Sequence, residues 1–257
     1  MNISINLFRI NLAVLRSARS VWLLAITGML VMYAVFAAEI SGDGPTAIFV
    51  LGTVALPVSS IESTINLPEI FTGLLLIITV LYQRSYLLEG QLAGIWLANH
   101  QNRIPYLLAF FITMLLAIIL VTSGYLFLYL KAGYSTAAAL YAFAGKLLMF
   151  FSFVIFLTLI VNIRGTGTFA LIYFLILVFV TPVALQSLKS VFTSSSWVQD
   201  IAEFISYVLT PQWKLEEFSR QIIATRYIQS DTFLWSLSSL IFWILINIWI
   251  FNKKDIT

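Results

Sequence analysis

Long uncharged stretches of apolar residues alternate with short polar connections along the chain. A helix needs about 20 apolar residues to cross a hydrocarbon core about 30 Å thick, and clusters of turn residues mark where the chain returns to water. This pattern predicts an all-α integral membrane protein, with six transmembrane helices in a single domain over residues 1–257. The predicted spans are residues 21–38, 67–86, 104–130, 135–162, 166–188 and 232–252.

Two apolar segments lie outside the six spans. Residues 46–58 are too short for an ordinary span, and we interpret them as a surface-lying or re-entrant segment, with a seventh span as the alternative. Residues 1–20 carry apolar side chains every three or four positions from Ile3 to Val14, with the arginines on other faces. This spacing predicts an amphipathic helix in the headgroup plane, and a frayed cytoplasmic tail is the alternative.

Lysine and arginine are distributed unevenly over the connections. If the N-terminus lies inside, eight of the 14 Lys and Arg residues fall on the inner side, five fall on the outer side, and Lys146 falls within a span. Cytoplasmic connections carry the excess of cations, so both termini are predicted to be cytoplasmic. A seven-span arrangement would place the pair Lys253 and Lys254 outside, which the same rule disfavours.

Two connections contain amphipathic helical patterns. The inner connection after span two predicts a short helix below the membrane, which either docks a cytoplasmic partner or lies along the lipid surface. The outer connection between spans five and six predicts two consecutive short helices, separated by Pro211, that form a cap or a re-entrant pair rather than a plain surface loop. The apolar positions of the inner helix are Leu88, Leu92, Ile95 and Trp96. Those of the outer pair are Trp197, Ile201, Phe204, Ile205 and Val208, then Leu215, Phe218 and Ile222.

Lys146 is a single charge inside predicted span four. Counted from the start of that span, it lies about midway through the bilayer, where an ionisable group is costly and usually faces a bundle interior or an aqueous cavity. A role with an anionic substrate or partner is one hypothesis. Snorkelling to the interface, a structural pair with a glutamate and a misplaced span boundary are the alternatives.

Composition limits the chemistry that the chain can carry. Hydrophobic residues make up 61% and charged residues 10% of the 257 positions, which leaves no room for a sizeable soluble domain. The chain has no cysteine, and His100 is its single histidine, so thiolate metal sites and histidine-based triads are not expected. Walker A, nucleophile-elbow and zinc-protease motifs are also missing. The sequence therefore predicts no catalytic, nucleotide or metal site in this chain, and no nucleic-acid partner.

Several local sequences add to this layout. They are residues 67–71 (LPEIF) opening span two, 84–86 (RSY), 89–90 (EG) and 103–106 (RIPY) around the inner helix, 209–213 (LTPQW) between the outer helices, Asp231 before span six, and the ending 251–256 (FNKKDI). Together with the amphipathic N-terminus, they resemble the permease subunit of a type 2 ABC exporter over nearly the whole chain. The chain departs from that family at residues 91–94 (QLAG), where many members have a glycine–threonine pair.

The resemblance implies a complex of two permease chains, identical or homologous, and two cytoplasmic ATP-binding subunits. ATP and Mg would be bound by those partner subunits, in a bacterial cytoplasmic (inner) membrane, and ATP-driven closure would open an outward path for a hydrophobic or amphipathic substrate. The residues that would form the ATPase-coupling region are Arg84, Glu89, Gly90, Leu92, Trp96 and Arg103. The residues that would belong to the outer gate helices are Trp197, Phe204, Pro211, Trp213 and Phe218.

Two other classes of membrane protein compete with this interpretation. A secondary transporter or channel that works without an ATPase would show inverted repeats, broken helices at matched positions and several intramembrane acids. In this chain only Lys146 and Pro182 point in that direction. A non-transporting assembly subunit is the third class.

Overall fold

The computed structural model describes four helices and three strands. Helix α1 is Ile104–Lys131, α2 is Thr136–Arg164, α3 is Ser196–Val208 and α4 is Ser230–Lys253, while strands β1, β2 and β3 are Ala38–Ile40, Ala47–Leu51 and Val54–Val58. Outside these elements, the described residues are 8–10, 12–13, 22, 26, 72–73, 76–81, 134–135, 172, 176, 184, 187, 214–215, 218 and 221–222.

Helices α1, α2 and α4 are long and apolar enough to cross a membrane. They occupy the segments in which spans three, four and six were expected, and they make the chain a multi-pass helical membrane protein. Predicted spans one and five are described only at single positions, and span two only at residues 72–73 and 76–81. The number six and the bounds of those three spans stay predictions.

Residues 38–58 form a small antiparallel sheet in the order β1, β2, β3, with Ala38 opposite Phe49 and Phe49 opposite Leu56. The all-α prediction is therefore wrong for this part of the chain, and the alternative of a seventh helical span is wrong for residues 46–58. The physical reason lies in the residue types. These strands are rich in valine, isoleucine and phenylalanine, which favour strands, and Pro57 would break a helix.

Helix α2 is the centre of the described bundle and packs against both α1 and α4. Residues 151–159 of α2 are all buried, and Phe151 contacts Phe111 of α1 edge to face, with ring centroids 6.2 Å apart. The Oγ of Ser135 accepts a hydrogen bond from the backbone N–H of Ala138 at 3.3 Å, which caps the start of α2. Because few residues separate α1 from α2, these two helices form an antiparallel hairpin.

Helices α2 and α4 run parallel. The ring of Tyr141, near the start of α2, lies 6.2 Å from that of Phe233, near the start of α4. Further along, the rings of Phe156 and Trp243 are 4.8 Å apart. The chain therefore leaves α2 at one end of the bundle and enters α4 at the other. In a bilayer this path requires a return crossing between the two helices, which is what predicted span five would supply.

The parallel and antiparallel pairings define two ends of the bundle. The Lys253 end is where α1 begins and where α2 and α4 finish, at Arg164 and Lys253. The Ser230 end is where α2 and α4 begin. At the Lys253 end, the Nζ of Lys253 lies 4.3 Å above the Trp249 ring, a cation–π contact typical of a helix terminus at the membrane interface.

Candidate functional site

Lys146 lies inside the bundle, in the middle part of a membrane-spanning helix. It follows Thr136, the first residue of α2, by about 15 Å along the helix axis. Only 2% of its surface is exposed. The side chain therefore does not lie on the exposed surface of the helix. The structure favours a lysine that faces other parts of the protein.

The direction of Lys146 follows from the contacts of its neighbours on α2. Tyr141 faces α4 and Phe151 faces α1. At about 100° per residue, Lys146 points about 140° away from each of them. It shares this third side of α2 with Phe150 and Phe153, which are also buried. The lysine therefore belongs to a side of α2 that faces neither α1 nor α4 and is nevertheless enclosed.

Four hydroxyl groups buried in the spans are satisfied within their own helix. The Oγ1 of Thr113 donates to the carbonyl of Ala109 at 2.7 Å, and the Oγ1 of Thr158 donates to that of Val154 at 2.6 Å. Thr122 and Ser152 make equivalent bonds. A polar group in hydrocarbon must find an internal partner, and these four do so locally. We therefore assign them to helix structure rather than to a site.

Asn247 differs from these four hydroxyls, because its amide joins two spans. It is fully buried on α4, and its Nδ2 donates to the carbonyl of Ile155 on α2 at 3.0 Å and to that of Trp243 at 3.2 Å. Its Oδ1 has no hydrogen-bond partner within the described part of the chain. The prediction from sequence missed this residue. The available signal was an asparagine inside the apolar run of span six, residues 241–251.

The apolar residues predicted to share a face in the second outer helix are directed inward. Leu215, Phe218 and Ile222 are all buried in the main hydrophobic core. The Phe218 ring lies 5.4 Å from Phe233, which in turn contacts Tyr141. These rings form an aromatic cluster at the Ser230 end. Phe218 thus closes that end of the α2–α4 pair.

Helix α3 behaves differently. Its predicted apolar positions do share a face, but Trp197, Ile201 and Phe204 are 66%, 49% and 64% exposed, whereas Ala202 is buried. A link to the second outer helix comes from the Nζ of Lys214, which lies 3.9 Å from the Oε1 of Glu203. Phe204 and Phe218 therefore lie at the same end of the bundle, but Phe204 is exposed and Phe218 is buried.

The remaining predicted site residues lie outside the described part of the chain. They are Arg84, Glu89, Gly90, Leu92, Trp96 and Arg103 of the coupling region, and Pro211 and Trp213 of the outer helices. Their roles stay predictions. In the described ranges, no three histidine, aspartate or glutamate side chains are grouped closely enough to hold a metal ion.

No protein-family model matches the chain, and no curated protein matches it either.

Proposed function

We propose that the chain is the membrane-spanning permease subunit of a type 2 ABC exporter that moves a hydrophobic or amphipathic substrate outward. The chain would not be an enzyme itself. Two copies of a cytoplasmic ATP-binding subunit would hydrolyse ATP with Mg, and a second permease chain, identical or homologous, would complete the pathway. The complex would reside in a bacterial cytoplasmic membrane with both termini of this chain in the cytoplasm.

The observation that carries this proposal is the contrast between the two ends of the bundle. At the Lys253 end, the last residues of α2 and α4 are Arg164 and Lys253, and Arg103 directly precedes α1 in the sequence. Cations favour the cytoplasmic side, so this is the end where an ATPase would dock. At the Ser230 end, α3 and the buried Phe218 stand next to the start of α4. This is the position expected for outer gate helices.

Affinity purification in mild detergent tests the proposal directly. We expect the tagged chain to retain a subunit that contains a Walker A sequence, identified by mass spectrometry, and the reconstituted complex to hydrolyse ATP. Trp96→Ser should weaken this retention, because Trp96 lies in the predicted coupling helix. Trp197→Ser makes the same exchange at the opposite end and serves as the matched control. The proposal fails if the wild-type chain retains no ATPase and reconstitution yields no ATP hydrolysis.

Lys146 supplies a second test, within the transport pathway. We expect Lys146→Met to reduce substrate transport by the reconstituted complex about tenfold, equivalent to about 1.4 kcal/mol of lost interaction with an anionic group. The midpoint of thermal unfolding should change little, because an apolar side chain of similar length fills the same enclosed side of α2. Lys146→Arg, which keeps the cation, is the control. Unchanged transport at normal expression would remove Lys146 from the pathway.

The enclosed lysine is also the feature that favours the second candidate function, a transporter that works without an ATPase. Ionisable groups inside a membrane often serve ion or substrate pathways in such proteins. The two candidates differ in their energy source. Transport by the purified chain alone, driven by an ion gradient and insensitive to ATP, would support this alternative and contradict the exporter proposal.

A further inference from the structure

Helix α3 has three distinct sides. Val198 and Ala202 form its inward side, where Ala202 is buried in the protein. Trp197, Ile201 and Phe204 form an exposed apolar row, which we call the α3 row. At about 100° per residue, the α3 row points about 110° away from the inward side.

The third side of α3 is acidic. Asp200 and Glu203 are exposed, and they lie about 65° and about 125° beyond the centre of the α3 row, on the side away from Ala202. A helix in water with one protein-facing side would carry polar residues over the whole of its remaining surface. Here the remaining surface is divided into an apolar row and an acidic side. Helix α3 therefore contacts two different environments in addition to the protein, one apolar and one polar.

The position of α3 indicates which apolar environment the α3 row contacts. Glu203 is linked to Lys214, and Phe218, one helical turn beyond Lys214, contacts Phe233 in the first turn of α4. The next residues of α4, Leu234 and Trp235, are large, apolar and exposed on a helix that is built to cross a membrane. The α3 row therefore lies near the level at which α4 enters the bilayer.

The size of the α3 row argues against a second protein as its cover. Among the α3 side chains whose exposure the structure describes, these three, of about 150–250 Å² each and exposed by half to two thirds, present about 350 Å² of apolar surface. A stable protein–protein interface needs about 800 Å² from each partner. Insertion among acyl chains requires no such minimum, because each apolar group gains free energy independently as it leaves water.

We propose that α3 lies in the membrane surface at the Ser230 end, with Trp197, Ile201 and Phe204 inserted among lipid acyl chains and Asp200 and Glu203 facing water. The contact between Glu203 and Lys214 holds the helix in this rotation, because Lys214 is itself buried. The α3 row is thus a binding surface for membrane lipid. This inference stands independently of the exporter proposal.

The absence of cysteine makes the test direct, since each introduced cysteine is the only labelling site. Single variants Ile201→Cys, Phe204→Cys, Asp200→Cys and Ala202→Cys are labelled with a nitroxide and reconstituted into phosphatidylcholine–phosphatidylglycerol vesicles. Electron paramagnetic resonance then compares collisions with oxygen, which partitions into lipid, and with a water-soluble nickel chelate. We expect labels at positions 201 and 204 to collide severalfold more with oxygen, and the label at position 200 to collide more with nickel.

The label at position 202 should be immobilised and shielded from both reagents. Preferential nickel collision at positions 201 and 204 would overturn the proposal, because it places the α3 row in water. Shielding from both reagents together with spin–spin broadening would also overturn it, because a second copy of the chain then covers the α3 row. Since Ile201 and Phe204 are exposed, their replacement should not impair folding, and Trp197→Cys provides a third position in the same row. The measurement needs neither ATP nor a partner.

Discussion

Asn247→Asp is expected to lower the free energy of unfolding by at least about 3 kcal/mol, because it removes the donor group of the Asn247 side chain at a fully buried position. The amide Nδ2 bridges the carbonyls of Ile155 and Trp243, so a carboxylate in its place would turn an oxygen towards two carbonyl oxygens. If the carboxyl group took up a proton instead, it could satisfy one carbonyl and not both. Either outcome weakens the contact between α2 and α4.

Two companion variants separate this effect from simple loss of a hydrogen bond. Asn247→Leu should stay within about 1 kcal/mol of the wild type, since it removes an interhelical bond worth about 1 kcal/mol but also removes the unpartnered Oδ1. Asn252→Asp makes the same chemical change at an exposed position on α4 and should leave stability almost unchanged. Unfolding by a denaturing detergent, followed by circular dichroism, measures all three. An Asn247→Asp protein as stable as Asn252→Asp would contradict the assigned bridge.

Phe218→Ala is expected to cost about 3–5 kcal/mol of stability, the usual range for deleting a fully buried aromatic side chain. The loss combines the transfer free energy of the buried ring with the cost of a cavity next to Phe233. Phe204→Ala removes the same ring from the exposed α3 row and should change stability in detergent by less than about 0.5 kcal/mol. The thermal unfolding midpoints of the two purified variants give the comparison. Equal destabilisation of both would contradict the opposite orientations of the two outer helices.

The long helices could be predicted from sequence because their signal is collective. An apolar run of the length found in α1, α2 or α4, with at most one or two charges, is stable in a bilayer only as a helix, so a rule of length and charge locates it. The small sheet could not be found in this way. A count of apolar residues over positions 46–58 measures hydrophobicity but does not distinguish strand-forming from helix-forming side chains. In addition, polar residues separate the first strand, residues 38–40, from the strand with which it pairs.

The site was predictable in part for a related reason. Helical spacing identifies which residues share a face, and it did so for both outer helices. It does not say what that face meets, so the exposed row of α3 and the buried row containing Phe218 had the same sequence signal. Asn247 was missed because an uncharged amide contributes nothing to a search for intramembrane charges. Lys146 was found because it is charged, and the structure shows in addition that its side chain is enclosed by the protein.

The parallel arrangement of α2 and α4 has a consequence for how the protein is made. Helices α1 and α2 can form a hairpin as soon as α2 leaves the ribosome, because neighbouring segments close a short loop. The α2–α4 pair must wait until the segment between Arg164 and Ser230 has been synthesised and has returned to the other side of the membrane. Until then, the surface of α2 around Ile155 has no α4 to cover it. The bond from Asn247 to Ile155 can therefore form only after α1 and α2 have paired, when α4 covers the surface of α2 that had been left open.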